Sequence, residues 1–308
     1  MKNKQKISRR HFMGLAVALG AGLTLPGKVT AASEQIRKTI FKSGEKLSVI
    51  GMGTSRTFDI AGDTELLTRL EQVSRTFFDM GGEMIDSSPM YGSSQKVIGQ
   101  ILAKLKHDKN LFAATKVWVE GRQEGIEQME ESRELWGIKN FDLMQIHNLL
   151  DWQTHYETLQ QMKAEGKIRY IGITTSHGRY HEQLKDILLK HDFDFVQLSY
   201  NIANRDVEVQ LLPIALEKGI SVIANRPYQR GALFQKVKDK PLPLWAQEFD
   251  CTSWGQYFLK YVISHPAITC TIPATTKVKH MKDNMLAGRG GLPTARQRTQ
   301  MLNYFESL

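Results

Sequence analysis

The sequence predicts an α/β fold: a closed (β/α)8 barrel of the TIM type with an N-terminal β-hairpin. Three observations carry this. Strand-like runs recur eight times, near 47–51, 83–86, 111–116, 141–146, 168–173, 194–198, 220–224 and 268–272. Helical periodicity fills most of the gaps between them. The competing doubly wound open sheet would want a Gly-rich dinucleotide turn, yet Gly51-Met52-Gly53-Thr54 is only half of one, and no P-loop occurs.

In chain order, residues 1–32 form a separate object. They carry Lys2, Lys4, Lys6, Arg9, Arg10 and Lys28 with no acid, then the apolar run from Phe12 to Leu25, then small residues at Val29, Ala31 and Ala32. Basic region, short apolar core and small-residue exit is the order of a signal peptide. The paired Arg9-Arg10 resembles the twin-arginine export signal, which implies the twin-arginine machinery as a partner and a periplasmic or otherwise exported location. A basic amphipathic terminus is the plainer alternative. The formal net charge of +9 drops to +3 when the six basic residues of 1–32 are removed, too weak to argue for nucleic acid. No run reaches the roughly 20 apolar residues of a membrane span, so stable insertion is not expected.

The barrel domain is expected at 33–308. Residues 37–50 alternate around Ser43-Gly44 as a hairpin. Helical patterns follow at 64–80, 94–105, 123–136, 155–165, 179–190, 207–218, 252–264, 277–287 and 294–306. In 94–105 the apolar stripe is Val97, Ile98, Ile101, Leu102 and Leu105. The stretch 225–251, with Pro227, Gly231, Pro241 and Pro243, reads as a long loop after the seventh strand. Cys251 and Cys270 are the only cysteines, and nothing in the sequence brings them within bridging distance. His177 and His181 have the spacing of a metal pair but no third ligand, so no metal is expected.

Barrel enzymes work at the carboxyl ends of their strands. There the second strand ends at Asp86, with Tyr91 in the loop beyond; the third ends at Lys116, the fourth at His147, and the sixth carries Gln197. An ordinary phenol, with a pKa of about 10, is a poor acid at neutral pH. A buried ammonium beside it would pull that value down, and a carboxylate would keep the ammonium charged. An imidazole would orient a carbonyl oxygen. Such a group delivers a proton to an oxygen gaining negative charge, and a nicotinamide cofactor is the natural source of the matching hydride.

With these residues in view, 37–308 resembles the aldo-keto reductase family. Asp86 and Tyr91 match its Asp-x4-Tyr motif, and Lys116 and His147 match the other two tetrad positions. The resemblance implies NADPH-linked reduction of a small carbonyl substrate, with Tyr91 as acid, Lys116 tuning it, Asp86 supporting Lys116 and His147 orienting substrate. It also implies cofactor contacts at Gly53, Thr54 and Ser55; at Thr174, Thr175, Gln197 and Asn225; at Arg230, Gly231 and Leu233; and at Thr275, His280 and Asn284. Thr174-Thr175 stand where the family has Ser-Asn. Asn225 stands where an aromatic stacks on the ring, unless Tyr228 supplies it. His280 replaces the arginine that clasps the 2′-phosphate, with Lys277 or Lys279 available to compensate, which leaves NADH as an alternative. A reading from another class is a non-catalytic barrel that binds cofactor or a partner as an exported sensor or redox subunit.

Overall fold

The computed structural model describes residues 34–106 and 110–308. The signal-peptide reading of 1–32 therefore lies outside the described residues.

A two-stranded hairpin comes first. β1 (Arg37–Thr39) and β2 (Lys46–Ser48) pair antiparallel, Lys38 opposite Leu47. Gly44, at φ 76°, supplies the left-handed backbone that the turn needs. The hairpin turns Ile40 and Leu47 inward, where they pack with Met84, Phe112, Leu143, Tyr170, Phe195 and Ile223 as one apolar layer. Lys38 anchors it: the ammonium donates to the carbonyls of Ile263, His265 and Ile268 at 2.7, 2.9 and 2.7 Å. The hairpin thus plugs the barrel floor.

The eight barrel strands are β3 (Met52–Gly53), β4 (Met84–Asp86), β5 (Phe112–Val117), β6 (Phe141–Ile146), β7 (Ile168–Thr174), β8 (Phe195–Ser199), β9 (Ser221–Asn225) and β10 (Ile268–Thr271). Each runs parallel to the next, in chain order around the sheet. The ring closes through the residues leading into β3: Gly51 N–H donates to Thr271 O at 2.8 Å, and Thr271 N–H to Val49 O at 2.9 Å. The backbones come so close at this seam that a Cβ on Gly53 would lie 2.7 Å from Ile272 O. The run expected as one strand at 47–51 is in fact shared. Its start belongs to the hairpin, and its end bridges to Thr271 ahead of β3.

Around the barrel lie α1 (Thr64–Asp79), α2 (Ser94–Leu105), α3 (Arg122–Trp136), α4 (Trp152–Ala164), α5 (His181–Lys190), α6 (Leu211–Glu217), α7 (Ala232–Lys236), α8 (Trp254–Ile263), α9 (Val278–Ala287) and α10 (Ala295–Ser307). Side-chain caps fix three starts. Asp63 accepts from Leu66 N–H, Ser253 from Gln256 N–H, and Thr294 with Gln297 forms a reciprocal capping box. The buried stripe of α2 is the one its periodicity predicts. Helix α6 begins later than expected because Pro213 has no N–H to give and fits only a first turn, so residues 206–208 form a separate 3-10 turn. Residues 225–251 are more ordered than a bare loop, holding α7 and a second 3-10 stretch at Leu244–Phe249. Cys251 and Cys270 are both buried and unpaired.

Candidate active site

Asp86 closes β4, Lys116 is the penultimate residue of β5, and His147 follows β6 directly, so the barrel delivers all three to one mouth. Lys116 is completely buried and Asp86 nearly so. The ammonium donates to Asp86 Oδ2 at 2.6 Å and to the Ser87 carbonyl at 2.8 Å. The other carboxylate oxygen, Oδ1, accepts from Gln145 Nε2 and Gln197 Nε2, each at 2.9 Å. Both oxygens are thus engaged, which a buried carboxylate needs in order to stay charged beside its partner.

Tyr91 lies over this pair, its ring centroid 5.4 Å from Lys116 Nζ. The ammonium pulls the phenol's pKa down, as the sequence suggests, and Arg226 adds to that pull. Burial is the larger effect, however, and Asp86 adds to it, so the net direction is upward from 10. The phenol is therefore protonated at neutral pH, the form that can donate.

His147 meets Tyr91 edge to face, with ring centroids 5.9 Å apart at 89°. Its Nδ1 is 2.8 Å from Ser88 Oγ, which also accepts from Met90 N–H at 3.2 Å, leaving Nε2 for the cleft. Burial first, and Lys116 second, bring its pKa from 6.5 down to about 3, so the imidazole is neutral. The unfolded chain therefore binds a proton below pH 6.5 that the folded chain refuses, and stability should fall as pH drops from 6.5 toward 3. Urea midpoints at pH 7 and near pH 4.5 check this: the wild type is expected to lose more stability between them than His147→Asn does.

These residues open on a cleft of about 880 Å³ that runs from Tyr91 and His147 to α9. Gly53, Thr54, Ser55, Thr174, Gln197, Asn225, Arg230, Gly231, Thr275, His280 and Asn284 all line it. Two expected cofactor residues do not. Thr175 is buried with its hydroxyl donated to His177 O at 2.8 Å, because alternate strand-end side chains face opposite ways. Leu233 is packed in the core on the buried side of α7. Lys277 and Lys279 are exposed and outside the cleft wall, so only His280 of that basic group faces it.

Tyr228 does not supply the missing stack. Its hydroxyl donates to Asn284 Oδ1 at 2.6 Å and its ring packs on Phe234, on the α9 side. Gln197, expected to hold a carboxamide, gives its amide to Asp86 and accepts from Asn225 at 3.4 Å. Asn284 Nδ2 is buried without a partner, a donor left for a polar ligand at the α9 end. A dinucleotide suits the cleft's volume and donor set, with Gly53–Ser55, Thr174 and Asn225 near the reacting end and Thr275, His280 and Asn284 at the other. Three contributors were not picked out from sequence: Ser88, which holds His147; Arg226; and Asp283, which lines the cleft and accepts from Ser253 Oγ and Gln256 Nε2 at 2.7 and 2.8 Å. Only Ser88, inside the Asp-x4-Tyr loop, sat within a recognisable signal.

Residues 49–295 match the model of the aldo/keto reductase family. The chain belongs to that family. Among relatives of this aldo/keto reductase, methylglyoxal reductase YeaE of Escherichia coli is 24% identical over 254 residues, covering 80% of this chain and 88% of its own. An NADH-specific methylglyoxal reductase of the same organism is 29% identical over 185 residues, half of this chain and 54% of its own. The same fold is found in an aldo/keto reductase from Klebsiella pneumoniae solved with NADP and acetate, at a TM-score of 0.72 and 21% identity over 87% of this chain and 94% of that one. Family membership makes this aldo/keto reductase an NAD(P)-dependent oxidoreductase.

Proposed function

We propose that the protein reduces an aldehyde or ketone to an alcohol, with Tyr91 donating the proton. The observation that carries this is the buried Lys116–Asp86 pair beneath Tyr91, beside a neutral His147, at the head of the cleft. NADPH or NADH, when held in the cleft, would supply the hydride that the carbonyl carbon needs. His147 Nε2 and the Tyr91 hydroxyl converge on the carbonyl oxygen and hold it in place. As charge develops there, Tyr91 releases its proton to it, and the adjacent ammonium stabilises the phenolate left behind. Solvent then returns a proton to Tyr91. Asp86 keeps Lys116 charged and fixed, and Gln145 and Gln197 fix Asp86.

Both cofactors suit the α9 end. His280 is a weaker partner for a 2′-phosphate than a guanidinium would be, and Asp283 stands nearby in the same wall. The NADH-specific relative from Escherichia coli keeps NADH in view beside NADPH. A second reading, a non-catalytic barrel that binds cofactor or a partner, is favoured by the lack of a stacking aromatic at Asn225 and by the commitment of Gln197 to Asp86. Fluorescence titration of the purified protein with NADPH and NADH, followed by a panel of aldehydes, ketones, quinones and sugars, separates the two. Binding with turnover supports the reductase; no binding of either cofactor, or binding with no turnover across the panel, supports the second reading.

Export is part of the proposal, supported by Arg9-Arg10, the apolar run that follows and the small residues before Ser33. A cargo exported folded would carry its cofactor with it. Cell fractionation tests this: wild type should appear outside the cytosol, shortened by about the signal's length, and a variant with both Arg9 and Arg10 changed to Lys should stay inside at full length. Equal distribution of the two would rule export by this route out.

A further inference from the structure

Three arginines reach the cleft from the two strands that flank β10. Arg56 comes from the loop after β3, while Arg226 and Arg230 come from the loop after β9. All three hold left-handed backbone, at φ 66°, 53° and 57°, a conformation that costs a non-glycine residue energy and that gathers at functional sites. Among the described residues none has an acidic partner. The two acids in the same wall are spoken for: Asp86 by Lys116, Asp283 by Ser253 and Gln256. The cleft therefore carries unbalanced positive charge. The pyrophosphate shared by NADH and NADPH brings two negative charges, one fewer than the three guanidiniums, while the 2′-phosphate of NADPH would fall to His280 at the α9 end.

The arginine left over is identified by position. Arg226 follows directly on the last residue of β9, deeper than Arg230, and is half-buried where the other two are exposed. Tyr91 senses its charge, and Arg230 and Arg56 act on it in turn. Its neighbour Asn225 donates to Gln197, which in turn holds Asp86, so Arg226 enters the cleft beside the reacting end. We propose that Arg226, assisted by Arg56 from the far side of β10, binds an acidic group carried by the carbonyl substrate, so that the preferred substrates are aldehydes or ketones bearing a carboxylate. This rests on the reductase reading above. A guanidinium suits that role because its planar fork meets a carboxylate through two parallel hydrogen bonds.

The test compares 4-carboxybenzaldehyde with 4-nitrobenzaldehyde, which share size and ring but differ in charge, in wild type and Arg226→Gln. Wild type should favour the acid in kcat/KM, and the variant should lose about 10- to 100-fold more on the acid than on the neutral aldehyde. NADPH and NADH titrations of the variant should stay within about twofold of wild type. If both cofactors weaken and both aldehydes fall together, Arg226 serves the pyrophosphate and the proposal is overturned. It is overturned equally if wild type shows no preference for the acid. Should neither aldehyde turn over although cofactor binds, the reductase reading fails on its own. Calorimetry of the same two compounds against the cofactor-loaded protein then decides the anion site: tighter binding of the acid, lost in Arg226→Gln, upholds it, and equal binding refutes it.

Discussion

Tyr91→Phe should fold, bind reduced nicotinamide and yet reduce aldehydes about 10²- to 10⁴-fold more slowly than wild type. The substitution removes one oxygen and keeps the ring that packs edge to face on His147. Lys116 keeps its bonds to Asp86 and Ser87, so the buried pair is not disturbed. What disappears is the phenolic proton donor that touches both Lys116 and His147. Cofactor affinity, read by fluorescence, should change by less than about twofold, because the phenol is not among the groups expected to hold the dinucleotide. A variant that reduces aldehydes at the wild-type rate would remove Tyr91 from the mechanism.

Lys116→Met should be damaging in two separable ways. Removing the ammonium leaves Asp86 Oδ2 without a donor in a fully buried setting, while Gln145 and Gln197 still hold Oδ1. Stripping one partner from a buried ion pair costs about 3–5 kcal/mol, measurable as a drop in the urea midpoint. Reduction should also fall steeply, since nothing then stabilises the phenolate. The double variant Asp86→Asn/Lys116→Met separates the two effects. It has no stranded charge and should regain most of the lost stability, yet remain inactive. A double variant that recovers activity as well would mean that the pair is purely structural.

Much of this architecture was legible beforehand, for a physical reason. Barrel strands are short apolar runs and the helices between them are amphipathic, so strand positions and the stripe of α2 can be read from local pattern alone. The tetrad was legible because strand order places consecutive strand ends side by side, so that Asp86, Lys116 and His147 must share a mouth once the barrel closes. The rest depends on which way a side chain turns, and local pattern does not carry that. Thr174 and Thr175 are neighbours of the same type, but only Thr174 faces the cleft, its hydroxyl accepting from Asn148 N–H at 3.1 Å. Gln197 has an amide suited to a carboxamide, yet the closing of the ring sets it against Asp86 from the opposite side. Residues 47–51 look like one strand because nothing local says that two sheets divide them. The direction of the Tyr91 shift was misjudged because charge is visible in a sequence and depth of burial is not.

The most direct test is a single turnover with nicotinamide cofactor dideuterated at C4, following the mass of the alcohol. The mechanism predicts one deuterium on the former carbonyl carbon and a hydroxyl hydrogen drawn from solvent, formed quickly by wild type and only very slowly by Tyr91→Phe. An unlabelled alcohol, or cofactor that stays bound and reduced beside every carbonyl offered, would contradict it.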